Sequence, residues 1–131
     1  MKPIPKRMRQ EMEDDPFYRR CCITKTPKNV RKVDWHHNMT WQGSQLNEKF
    51  AILPVVRWLH DMARRKDVSE ILDWVMLNRA TDEQLEKYSK ATDYKRERDR
   101  LNNQFGIWPN EKATKSFLNG LEKSRRKGSS I

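Results

Sequence analysis

The stretch FAILPV, Phe50 to Val55, is a short apolar run that leads into a proline and then into a change of period. Pro54 has no backbone N–H, and the first turn of a helix is a place where that donor is not needed. From there Val55, Val56, Leu59, Met62 and Ala63 fall at three- and four-residue spacings, the period of a helix with one apolar face. A helix opened by Pro54 is therefore predicted. Apolar and charged residues each make up 35% of the chain, a balance that predicts a small core and long solvated surfaces. The five tryptophans offset part of that deficit, since each buries a large area. At 131 residues the chain fits one domain with tails.

Upstream, residues 1–16 are polar, carry Pro3, Pro5 and Pro16, and read as a basic arm with helix at most over 5–14. FYRRCCIT and VRKVDWHH are β-prone and flank a Pro-Lys-Asn turn, so a hairpin-like entry is predicted over 17–33 and beyond. Residues 38–51 form a polar loop containing Gly43. After Lys66 a second helix is predicted from about Ser69 to Asn78, with Ile71, Leu72, Trp74, Val75 and Met76 as its apolar set. TDEQ at 81–84 is a capping box, Thr81 as N-cap and Gln84 at N3. It opens a third helix running to about Asn103, with Leu85, Tyr88 and Leu101 inward and Gly106 as its stop. Asn110 caps a last helix over 111–123, and KSRRKGSSI reads as a disordered basic tail. The fold class is α+β, with a small core at 17–66, a helical extension at 67–124 and a tail at 125–131.

The net charge is +10, from 28 Lys+Arg against 18 Asp+Glu, and such an excess favours polyanionic partners, chiefly nucleic acid. No run approaches the ~18 apolar residues of a spanning helix. The N-terminal segment lacks the apolar core of a secretory signal, so a cytoplasmic location is expected. Cys21 and Cys22 are adjacent, a spacing at which a disulfide is strained, and two cysteines cannot make a four-thiolate zinc site.

All three histidines, His36, His37 and His60, fall within 25 residues, and Asn47 lies between them. Phosphodiester hydrolysis needs an activated water, relief of phosphate charge and a stabilised leaving oxygen. One divalent metal serves the last two needs. A neutral histidine can take the proton from water near pH 7. Adjacent histidines at a strand end point differently, so one can hold metal while the other faces the water. His60, on the following helix, can complete the metal site. Asn47 both donates and accepts, and so can pin a loop.

The residues DWHHN, GSQLNEKFAILPV and WLH together resemble the His-Asn-His (HNH) nucleases of the ββα-metal superfamily, in particular small proteins carried by bacteriophages. The similarity spans roughly residues 20–104. It implies a strand, a long loop, a second strand and a helix, with a C-terminal helical extension. It implies His37 as general base, His36 and His60 as metal ligands, and Asn47 as the loop pin. Two departures matter. The cysteine knuckles common in such proteins are reduced to CCITK, with Val56 and Leu59 before the histidine, so no structural zinc is expected and packing must hold the hairpin on the helix. Arg64 stands where some members carry a further histidine. That leaves two protein ligands and favours magnesium or manganese with several waters. Asp34 and Asp61 are further candidate ligands.

The leading expectation is a metal-dependent endonuclease that cuts DNA with low sequence specificity and, as the resemblance implies, leaves 5′ phosphates. Arg57, Arg64, Arg65 and Lys66 are candidate contacts to the DNA backbone, which position without reading sequence. A homodimer would suit paired nicks on two strands. The alternative is a non-catalytic DNA- or protein-binding accessory module on an HNH scaffold, whose function would survive a chelator. A basic structural protein of a virion gives no reason for clustering every histidine.

Overall fold

The computed structural model describes residues 3–90 and 92–129, with side chains as far as residue 124. The architecture is α+β, dominated by helix. In chain order the elements are α1 (Lys6–Asp14), β1 (Val33–His37), β2 (Thr40–Trp41), β3 (Ser44–Gln45), β4 (Ile52–Val56), α2 (Arg57–His60), α3 (Lys66–Arg79), α4 (Asp82–Tyr88), α5 (Tyr94–Phe105) and α6 (Glu111–Ser129). No described helix is long and apolar enough to cross a membrane.

The centre is a two-stranded antiparallel sheet in which Val33 opposes Val56, Trp35 opposes Pro54 and His37 opposes Ile52. This corrects the prediction of a helix opened by Pro54: residues 52–56 are a strand, buried along their whole length. The register explains why proline is tolerated. The Pro54 carbonyl points away from β1 and accepts from the Cys22 N–H at 2.8 Å. The missing Pro54 N–H faces the same outer edge, so no bond to β1 is lost. Helix begins only at Arg57 and lasts four residues.

The hairpin-like entry is corrected too. Residues Pro16–Arg19 form a 3-10 turn, and before β1 the only described pairing is an isolated bridge between Arg20 and Pro27. Strand β1 pairs forward with β4, because β4 supplies a continuous apolar partner. In the connecting loop β2 and β3 make a small hairpin. Gln42 and Gly43 both take positive φ, 52° and 78°, the pair of angles a two-residue hairpin turn requires.

Strand parity gives the sheet two different faces. On one, Leu53 and Val55 join the main core with α3 residues Ile71, Leu72 and Val75. On the other, Ile52 and Trp35 pack against Tyr18 and against Met8 and Met12 of α1. Cys21, Cys22, Val56 and Leu59 lie in the same main cluster. Apolar contact thus joins the cysteine pair of CCITK to Val56 and Leu59, which precede His60.

In the helical extension, α3 buries the whole expected apolar set. The capping box at Thr81 and Gln84 is present in full. The helix expected through Asn103 is two helices. Asp93 caps a second start by accepting from the Arg96 N–H, and the Ser89 hydroxyl accepts from the Tyr94 N–H at 3.2 Å. Leu85, Tyr88 and Leu101 are buried as expected. Gly106 stops α5 at φ 89°, and Asn110 accepts from the Ala113 N–H to open α6. Helix α6 runs to Ser129, so the backbone of the segment expected as a disordered tail is helical as far as it is described. Its side chains, and residues 130–131, lie outside the described residues.

Candidate active site

His36 and His37 are the last two residues of β1, so they leave the strand on opposite faces. His36 and Asp34 share the face toward α2 and α3. His37 shares the face of Trp35. The two remain close enough that a charge on His37 disfavours one on His36.

Each histidine is held through one ring nitrogen. His37 Nε2 lies 2.8 Å from Asn47 Oδ1, while Asn47 Nδ2 donates to the Pro3 carbonyl at 3.1 Å. The amide oxygen therefore faces the ring as an acceptor, and His37 Nε2 carries the proton. His37 Nδ1 keeps its lone pair. The same logic applies to His36, whose Nε2 lies 3.0 Å from Asn38 Oδ1. Asn38 Nδ2 donates to Asp73 Oδ1 at 2.8 Å, which leaves His36 Nδ1 as a lone pair. His60 Nδ1 lies 2.9 Å from Asp34 Oδ2. A carboxylate only accepts, so His60 Nδ1 donates.

The rings of His36 and His60 sit 4.9 Å apart between centroids, with their planes at 64°. Burial, and then the nearness of His60, lowers the pKa of His36 and keeps its ring neutral at physiological pH. Burial works to raise Asp34, but hydrogen bonds from His60 and Arg57 outweigh it and hold the carboxyl below its usual range. Its role is thus to orient His60, in the manner of the carboxylates behind metal-bound histidines. Asp61 pairs with Arg57 at 3.7 Å. Among the described residues no group of three or more His, Cys, Asp or Glu side chains is arranged to hold a metal ion. The ring pair His36 and His60 is what the described residues would offer an ion.

The four basic candidates differ. Arg57 is tied to Asp34 at 3.2 Å and to Asp61. Arg65 grips Asp67 with two nitrogens. Arg64, on the turn between α2 and α3, and Lys66, the first residue of α3, are exposed. Asn38 and Asp73 were not singled out by sequence reasoning. Asn38 directly follows the two histidines, and Asp73 is the one acid inside the apolar segment ILDWVML of α3; an acid in a buried helix face was the available signal.

No family model, curated protein or solved structure matches this chain.

Proposed function

We propose that this chain is a small metal-dependent endonuclease of the HNH type that hydrolyses DNA phosphodiester bonds. The observation that carries this is the His37–Asn47 hydrogen bond, which leaves His37 Nδ1 unprotonated on the residue that follows His36 in β1. His37 Nδ1 takes a proton from water, the water oxygen attacks phosphorus, and the bond to the 3′ oxygen breaks. A 5′ phosphate remains on one product, and the departing 3′ oxygen takes a proton from solvent water to leave a 3′ hydroxyl on the other. His36 Nδ1 and His60 Nε2 would hold one divalent ion, which neutralises charge on the phosphate and leaving oxygen when bound. Two imidazole donors suit manganese better than magnesium. Arg64 and Lys66 are exposed and follow His60 by four and six residues, and they contact the flanking backbone. No base-reading element accompanies them, so sequence specificity is low. A phage-encoded protein acting in the cytoplasm of a bacterial host, alone or as a homodimer, fits this role.

The second reading is a binding module that uses no ion; the absence of a third ligand among the described residues favours it. Plasmid nicking by the pure protein separates the two. Nicking with Mn2+ or Mg2+ that stops with EDTA and with His37→Ala supports the nuclease. DNA binding that persists in EDTA, with no nicking of plasmid, branched or single-stranded DNA, supports the module.

A further inference from the structure

The α3 helix lies outside the strand–loop–strand–helix core, yet it reaches the site through Asp73 and Met76. Asp73 Oδ1 accepts from Asn38 Nδ2 at 2.8 Å, and the Met76 sulfur lies 3.4 Å from the same nitrogen. Both neighbours of that nitrogen are acceptors. Turning the amide over would set the Asn38 oxygen against the Asp73 carboxylate, two acceptors with no proton between them. Asp73 therefore determines which end of Asn38 meets His36. The Asn38 oxygen in turn determines which His36 nitrogen carries the proton.

We propose that Asp73, acting through Asn38, is a positioning residue that keeps His36 in its Nε2–H form and so presents Nδ1 to a divalent ion. The inference rests on the proposed function for the identity of the ion site, but the proton position on His36 exists without an ion. Asp73 is pushed up to about 6, chiefly by burial, so at pH 7.5 it is charged and accepts. Without it the amide is free to turn, Nδ1–H becomes accessible, and a protonated Nδ1 cannot ligate. Losing an outer partner of this kind weakens metal binding by roughly 10–100-fold.

The test uses the full chain, the variants Asp73→Leu and Asp73→Asn, and two readouts at pH 7.5. One is the 15N chemical shift of each His36 ring nitrogen in metal-free protein. The other is Mn2+ affinity by calorimetry. Asp73→Asn can accept from Asn38 or donate to it, so it no longer dictates which end of the amide meets His36 and is expected to fall between the parent and Asp73→Leu in both. Asp73→Leu is expected to move His36 toward Nδ1–H and to bind Mn2+ about 10–100-fold more weakly. A folded Asp73→Leu protein with the parent's His36 shifts and Mn2+ affinity overturns the proposal. If that variant does not fold, Asn38→Leu is measured in its place with the same expectations. A parent that never nicks DNA, yet shows the His36 shift in the variant, removes the nuclease reading and keeps the relay. Nicking by the parent with His36 unmoved in the variant removes the relay alone.

Discussion

His37 Nε2 and Asn47 Oδ1 meet at 2.8 Å, joining the last residue of β1 to a residue ten positions later in the connecting loop. The bond fixes both the ring and the loop, since Asn47 also donates to the Pro3 carbonyl of the N-terminal arm. One side chain thereby ties three segments together beside the proposed base.

Asn47→Ala frees the ring of His37. Positioned proton transfer contributes ~10²–10⁴-fold to a rate, so the variant is expected to lose at least about tenfold in nicking rate. Asn47→Asp still accepts from Nε2, and its charge favours the protonated ring. Its rate is expected to recover in part, with the acid limb of the pH profile moved upward. An unchanged profile in a rate-against-pH series would argue that residue 47 does not touch the base.

Asp73 makes stability depend on pH. Its carboxyl is pushed up to about 6 by burial, against 3.8 for the ordinary group. Between those values the native state holds a proton that the unfolded chain has lost. The contribution to stability is therefore full below about pH 4 and fades as pH rises through about 6. Asp73→Asn removes the ionisation and is expected to gain roughly 2–3 kcal/mol relative to the parent at pH 7.5, with the difference vanishing near pH 4. Urea unfolding at the two pH values checks the sign.

Leu59 is fully buried in the main core, one residue before His60. Leu59→Ala is expected to cost about 2–5 kcal/mol, because α2 has one turn and no other deeply buried anchor. Denaturant unfolding in EDTA measures it, and a parent that stays folded in EDTA shows that packing alone joins β4 to α2.

Thr81→Ala removes the acceptor for the Gln84 N–H. The expected loss is about 1 kcal/mol, with Mn2+ affinity unchanged, since the cap bonds are made within α4 itself. A large fall in affinity would reveal a coupling between α4 and the site.

The parts legible from the chain are those encoded locally. The capping box at Thr81, the glycine stop at Gly106, the Asn110 cap and the apolar set of α3 each sit within a few residues of the element they govern, and each stands where expected. Pro54 misled because a proline before helical spacing signals an N-terminus, whereas its place in a strand depends on which edge faces outward, a fact of pairing. The hairpin entry failed for the same reason: β1 chose a partner about twenty residues away over its nearer neighbour. The three histidines and Asn47 were legible as a set from their clustering. Of the residues that orient them, Asp34 stood in the sequence as a candidate ligand and Asn38 lies two residues from His36, whereas Asp73 acts across the fold and left only the faint mark of an acid in an apolar run.

The outer side of β4 is closed to other strands. The Ile52 N–H is used by the Lys49 carbonyl and the Ile52 carbonyl by the Tyr18 hydroxyl. Pro54 offers no donor, and its carbonyl is taken by Cys22. A sheet of two strands has as much edge as interior, and an open edge beside so apolar a strand is a template for runaway association. Tyr18, Cys22 and Pro54 together remove that template on the β4 side, so the most apolar strand of the protein is withheld from its copies.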